Sequence, residues 1–484
     1  MQINTDFSVP DFFARHEKPL FWMSGLLSIF CFMSAIYFKI NLLFILPFVF
    51  LFPALVLLDF RIVFFMMLLV LPVSVESYLG GFGTDLPSEP LVMVLAVCTV
   101  LYLLYYRQEL SNPAYKHPIV IVLALMFCWS VFVTLFSTDV FLSIKYLLAK
   151  SWYLLGFFIL PIIFLRNKKS LQQFFWCLYI PTFLSIWYVM VRHGLKGFTF
   201  DTITNAVHPI YRNHVNYAVY IAMLLPFVFL AKSWYAADTF KYKLLKCSIP
   251  VFLLAIYLSY TRGAWLAVVA MAVYFFVLRF NLTKYVLVLT SIVAIGFSVY
   301  ILKDNNYLKY APNYEHTIYH DELADHLTST FEMEDMSTVE RFYRWIAAVN
   351  LFREHPLVGV GPNNFVSNYK KYTVTAYETY ISDNEEKSTV HNYFLLLLTE
   401  QGLPALALYV VLLFAVLLTA QKTYNVVSEN RRKYIAAVTL CVVVFLLNNT
   451  LSDLVEANKV GSLFFMCLAI LVNFASDTVA GEMD

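Results

Sequence analysis

Ser388-Thr389-Val390-His391-Asn392-Tyr393-Phe394-Leu395-Leu396-Leu397-Leu398-Thr399-Glu400-Gln401-Gly402 marks the point where a long polar segment turns back into an apolar run. That segment begins near Lys303 and extends for roughly 85 residues, far beyond the handful expected of a turn. Every other connection between apolar runs is short. The chain therefore reads as a series of membrane spans interrupted once by a folded insert.

Composition supports that division. Of 484 residues, 60% are hydrophobic, 18% aromatic and only 14% charged, and the mean hydropathy is +0.69. Such usage lies well outside that of soluble domains and indicates an integral membrane protein. A formal net charge of +2 gives no basic field that would draw nucleic acid. All seven cysteines, Cys31, Cys98, Cys128, Cys177, Cys247, Cys441 and Cys467, fall inside apolar runs. They lack metal-ligand spacing and polar neighbours, so they read as packing residues, with no disulfide framework and no metal site.

Outward from the insert, the spans begin at Leu20–Phe38, read as an uncleaved first helix for want of a small-residue cleavage site. They continue near 41–58, 62–77, 89–106, 118–137, 147–165, 171–191, 215–231, 247–260, 263–278 and 285–302, and after the insert near 400–420, 434–450 and 458–474. The prediction is an all-α, polytopic transmembrane helix bundle of about 12–14 spans with one large, partly helical insert. It divides as 1–302, about eleven spans; 303–390, the insert; and 391–484, about three spans. With a cytoplasmic N-terminus, about 18 basic residues collect inside against about 8 in the short outside connections. The insert is then outside, which in a bacterium means the periplasmic side of the inner membrane.

Two short polar groups share that side. Tyr211-Arg212-Asn213-His214-Val215-Asn216 opens one helix, and Tyr260-Thr261-Arg262-Gly263-Ala264-Trp265 is a tight turn between two others. Arg262 and Arg212 each read either as an interfacial arginine snorkelling to headgroups or as an anion site for a diphosphate. The second reading rests on the guanidinium fork of donors, which matches phosphate oxygens.

Within the insert, Ser337-Thr338-Val339-Glu340 is a capping box, and Phe342, Trp345, Ile346, Val349 and Phe352 recur at helical spacing. A helix over about 338–354 is expected, closed by Pro356, with Gly359 and Gly361 permitting a turn whose backbone approaches a ligand. Arg341 on its polar side is either a solvated residue or a second charge clamp. His391 opens an apolar helix, where free N–H groups and the helix dipole disfavour the protonated ring. A neutral imidazole there suits abstraction of a hydroxyl proton, and the bland alternative is an exposed cap-region histidine. Glu400 stands in an apolar run about 13 Å further along that helix. Gly402 and Pro404 permit a kink there, and Glu400 either orients the site or marks where the true span begins.

Arg341 to Trp345, Glu354-His355-Pro356-Leu357-Val358-Gly359-Val360-Gly361, Asn364-Phe365, His391-Asn392 and Glu400-Gln401-Gly402, with Thr261-Arg262-Gly263-Ala264 upstream, together resemble the O-antigen ligase and O-antigen polymerase superfamily. The likeness spans roughly Arg212 to Leu418. It departs where Thr261 precedes Arg262 in place of serine, where Pro404-Ala405 replaces the second glycine usual after Glu400-Gln401-Gly402, and around Asn216, where an asparagine-rich motif is only partly present. The resemblance implies a glycosyltransferase using no cofactor and no metal. Its donor would be a glycan on undecaprenyl diphosphate and its acceptor lipid A-core or a growing glycan, at a membrane-lipid surface. Arg262, Arg212 and Arg341 would clamp the diphosphate and His391 would serve as general base, giving inversion. His214, Asn216, Asn392, Glu400, Gly359 and Gly361 would contact substrate. Ligase and polymerase differ only in the acceptor. A flippase or transporter is the reading from another class, and it predicts midplane ionisable groups or broken helices repeated in two halves, neither of which is legible here.

Overall fold

The computed structural model describes residues 59–79, 82–303, 306, 336–373 and 388–479. The runs expected at 20–38 and 41–58 lie outside them. Among the described residues nine helices are long and apolar enough to cross a membrane, so the chain is a polytopic, all-α membrane protein.

In order, the elements are α1 (59–70), the hairpin β1 (Val75–Leu79) and β2 (Phe82–Leu86), α2 (Ser88–Tyr105), α3 (Pro118–Thr134), α4 (Val140–Phe164), α5 (Lys168–Gly194) and the short α6 (Phe200–Val207). There follow α7 (His214–Lys232), α8 (Phe240–Leu258), α9 (Arg262–Arg279), α10 (Thr283–Leu302), α11 (Met336–Glu354), α12 (Tyr393–Val426), α13 (Glu429–Asn449) and α14 (Asn458–Val479). Burial separates centre from edge. In α7 and α14, 78% and 83% of the apolar window is buried inside the protein, against 6% in α10. The first two are surrounded by other helices, whereas α10 leaves nearly all of its side chains outside the protein interior.

Two elements depart from the periodicity reading. The run 62–77, expected as a single span, leaves the helix at residue 70 and enters a 3-10 turn, Leu71–Val73, and then β1. Pro72 lacks the N–H that another helical turn requires, and Val75-Glu76-Ser77 alternates as a strand does. β1 pairs antiparallel with β2, with Val75 opposite Leu86 and Glu76 opposite Asp85. The second departure is α12, one element of 34 residues where a span near 400–420 was expected.

That element is broken at Gly402, whose φ of 75° and ψ of −176° are not helical. The break leaves backbone groups without helical partners, and the segment after α11 supplies them. Val360 N donates to Thr399 O at 3.0 Å, Gly361 N to Glu400 O at 2.8 Å, and Leu403 N to Pro356 O at 2.9 Å. From the other side the Trp129 indole donates to Gln401 O at 2.9 Å. The buried Glu400 carboxylate accepts from Asn363 N at 2.8 Å and from Phe365 N at 3.0 Å. Here Gly359 does what no other residue can, since a Cβ on it would stand 2.4 Å from the Glu400 carbonyl carbon. The Pro-Leu-Val-Gly-Val-Gly run is thus bound to the kink of α12, which fixes where α11 and the start of α12 meet.

Candidate active site

At the end of the bundle where α11 docks, a cavity of about 590 Å³ opens between the hairpin, the starts of α7 and α14, α11 and the residues leading into α12. Arg212, Asn216, Arg341 and His391 all line it. These four residues span about 180 positions of sequence, and they meet because each sits at a helix start or on the insert helix packed beside one.

His391 is held from both sides. Just before it, Val390 O accepts from the Trp345 indole at 3.1 Å, and the Thr389 hydroxyl donates to Asp453 Oδ2 at 2.5 Å. Just after it, Asn392 caps α12 by accepting from Leu395 N at 3.1 Å, and its amide donates to Thr450 O at 3.0 Å. His391 itself adopts a left-handed φ of 54°. Such a conformation in a non-glycine residue is sparsely populated and persists only where its surroundings impose it. The ring projects with Nδ1 3.8 Å from Asp453 Oδ1.

Charge around the ring favours its neutral form. Crowding by the protein, and then the guanidiniums of Arg344, Arg341 and Arg212, push the imidazole down to about 3. Burial and three positive charges outweigh the single carboxylate of Asp453. The proximity of Asp453 is therefore that of a carboxylate to a neutral ring, and not an ion pair.

Residues expected from the sequence fall into two groups. Arg212, Arg341, His391 and Asn216 converge on the cavity. Arg262 opens α9 after Thr261 and is half-buried, and it is not among the lining residues. Its neighbour Gly263 packs against Asn448, where a Cβ would approach the amide oxygen to 3.0 Å. His214 turns its Nδ1 to the Thr204 hydroxyl at 2.9 Å, outside the lining. Asn392 acts as a helix cap, while Gly359, Gly361 and Glu400 sit in the joint between the insert and α12 rather than on the cavity. The side chains of the capping box at Ser337–Glu340 lie outside the described residues, although α11 itself runs over Met336–Glu354.

Five participants were not selected from the sequence. Asp453 comes from the short connection between α13 and α14, and Lys459 from the first turn of α14. Arg344, 2% exposed, follows Arg341 by almost one turn of α11. The hairpin brings Glu76 and Asp85 to the opposite wall. Applying the same-side criterion to every short polar connection would have found Asp453, whereas Lys459 falls inside the run expected as the span 458–474. Among the described residues no group of histidine, cysteine or carboxylate side chains has the arrangement of a metal site.

No curated protein sequence matches the chain significantly. The family model described as O-Antigen ligase matches residues 248–410, a stretch that includes Arg262, Arg341, His391 and the kink of α12 but neither Arg212 nor Asp453. Residues 248–410 of this membrane protein are accordingly similar to the O-antigen ligase family.

Proposed function

We propose that the chain is a metal-independent, inverting glycosyltransferase that moves a glycan from undecaprenyl diphosphate onto lipid A-core at the periplasmic face of a bacterial inner membrane. The observation that carries this reading is the cavity in which Arg212 and Arg341 stand beside a neutral His391. The family match over residues 248–410 supports glycosyl transfer in a membrane, and the guanidiniums of Arg212 and Arg341 on the cavity wall support a phosphorylated donor.

In this mechanism the diphosphate of the donor lies against Arg212 and Arg341, with Arg262 a further clamp as the donor seats. Its negative charge compensates the guanidiniums that hold His391 down, so the imidazole becomes more basic when donor is bound. An acceptor hydroxyl then gives its proton to the free ring nitrogen of His391, and the hydroxyl oxygen attacks the anomeric carbon from the face opposite the diphosphate. The bond from that carbon to the diphosphate oxygen breaks, the oxygen keeps the electron pair, and the arginines stabilise the charge that develops there. Asp453 holds the Nδ1–H tautomer and stabilises the imidazolium once formed, the contact closing from 3.8 Å to hydrogen-bond length as the site fills. Because the diphosphate is a good leaving group, no acid is needed on that side.

A strain lacking the protein, complemented with wild type or with His391→Ala, tests the reading through its surface-glycan gel profile. Loss of polymer from lipid A-core in the null and the mutant, with long chains accumulating on the lipid carrier, is the expected result. Lipid A-core carrying a single repeat unit would make the protein a polymerase of the same superfamily. An unchanged profile with His391→Ala would remove His391 from catalysis and return transport to consideration.

A further inference from the structure

Lys459, the second residue of α14, is only 9% exposed beside a cavity whose wall carries Arg212 and Arg341 together with the carboxylates of Glu76, Asp85 and Asp453. Its ammonium is fully engaged. It donates to Pro72 O at 2.9 Å, to Ser74 O at 2.8 Å and to Ile210 O, and it lies 4.5 Å from the centre of the Tyr211 ring. Three N–H donors meet three carbonyl oxygens, so the group has no donor left for a phosphate. A buried lysine is costly unless its charge is matched in this way, which argues for a role that uses the cation as a strut.

What the strut holds is the segment leading into Arg212. Ile210 O is bound by Lys459, the Tyr211 ring lies beneath its ammonium, and the Tyr211 hydroxyl meets Ser185 Oγ on α5 at 2.9 Å. On the other side, Asn213 caps α7 by accepting from Asn216 N at 2.9 Å. Arg212 is thus fixed between an anchored dipeptide and a capped helix. The same ammonium ties in the turn before β1, so the hairpin wall and the arginine are set by one group.

We propose that Lys459 is the positioning residue of Arg212, holding its guanidinium at the diphosphate position of the cavity without touching substrate. This rests on Arg212 acting on the diphosphate. The geometry favours it over a direct anion contact because every N–H of Lys459 is already directed at a carbonyl. An arginine offers planar, directional donors, so a displaced backbone weakens its grip on phosphate even though its charge is retained.

Binding of inorganic pyrophosphate to the full-length protein in nanodiscs tests this without relying on turnover. Arg212→Ala is expected to weaken binding by about tenfold or more. Lys459→Met should weaken it comparably, and the double variant should bind within about twofold of Arg212→Ala alone, as coupled residues do. Losses that multiply in the double variant, or wild-type binding by Lys459→Met, would overturn the positioning role. Wild-type binding by Arg212→Ala would remove the diphosphate reading of that arginine and this proposal with it. Should Lys459→Met not give a monodisperse protein, Ser185→Ala carries the test. It loosens Tyr211 from α5 while leaving Lys459 in place, so weaker pyrophosphate binding is expected and unchanged binding would overturn the pinning.

Discussion

His391 Nδ1 stands 3.8 Å from Asp453 Oδ1, while the other carboxylate oxygen of Asp453 is held at 2.5 Å by the Thr389 hydroxyl, two residues before the histidine. The carboxylate is therefore aimed by the same loop whose ring it faces. Asp453→Asn keeps the shape and the hydroxyl partner but removes the charge that stabilises the imidazolium. The expected outcome is a fall in kcat of about 10²-fold or more with a small change in donor KM, read by steady-state glycan transfer from a purified donor. A rise in KM with kcat unchanged would make Asp453 a substrate contact instead.

The pH profile follows from the neutral ring. With the imidazole pushed down to about 3 in the free protein, His391 stays a base far below the pH at which an ordinary histidine protonates. Transfer at low donor concentration should consequently hold its rate from pH 8 to pH 5, without the loss near 6.5 that an unperturbed histidine gives. Between about 6.5 and 3 the unfolded chain binds a proton that the native site refuses, so this group's contribution to stability is lost as pH falls through that window. A kcat/KM limb near pH 6.5 that disappears in a folded His391 variant would contradict the neutral-ring picture.

How far the sequence alone reached depends on the kind of signal. Apolar runs identify α7, α12 and α14 directly, since a span must be long and apolar wherever it packs. His391 and Arg212 were legible because each stands at the polar mouth of such a run. The wall formed by Asp453, Glu76 and Asp85 was not, because a short loop and a hairpin carry no periodic pattern, and their convergence is a property of the packed bundle. Glu400 was read as a site candidate because a carboxylate in an apolar run is expensive. Its oxygens instead accept from Asn363 N and Phe365 N, a partnership across 35 residues and more that no local spacing encodes.

Glu400→Gln separates those two roles. The amide keeps one acceptor but turns an NH₂ toward a backbone donor, leaving one N–H without a partner at a cost of about 1–3 kcal/mol. The expected outcome is a lower thermal midpoint of the detergent-solubilised protein, with donor KM unchanged in the folded fraction. A selective KM change at wild-type stability would restore Glu400 to the substrate.

Gly402→Ala should be harsher. At φ 75° a Cβ would stand 2.0 Å from Leu357 O, a backbone atom that moves only if the joint opens. A loss of about 3 kcal/mol or more is expected, seen as aggregation or a sharply lowered melting midpoint. Wild-type stability would mean that the insert is not held against the α12 kink.

Arg344 provides the most direct check on the electrostatics, because it is the largest charged influence on His391, ahead of Arg341 and Arg212. Arg344→Met keeps most of the apolar stem of a residue that is 2% exposed and removes only the charge. Less positive charge beside the ring makes protonation easier, so the His391 value rises toward that of a free histidine. The acid limb of kcat/KM should then move upward in pH, further for Arg344→Met than for Arg341→Met. Each variant should also raise donor KM if its guanidinium acts on the diphosphate as well as on the ring. Arg344→Met with a shifted limb and an unchanged KM would assign it to tuning His391 alone, whereas a raised KM with the limb in place would assign it to the diphosphate and leave burial to keep the ring neutral.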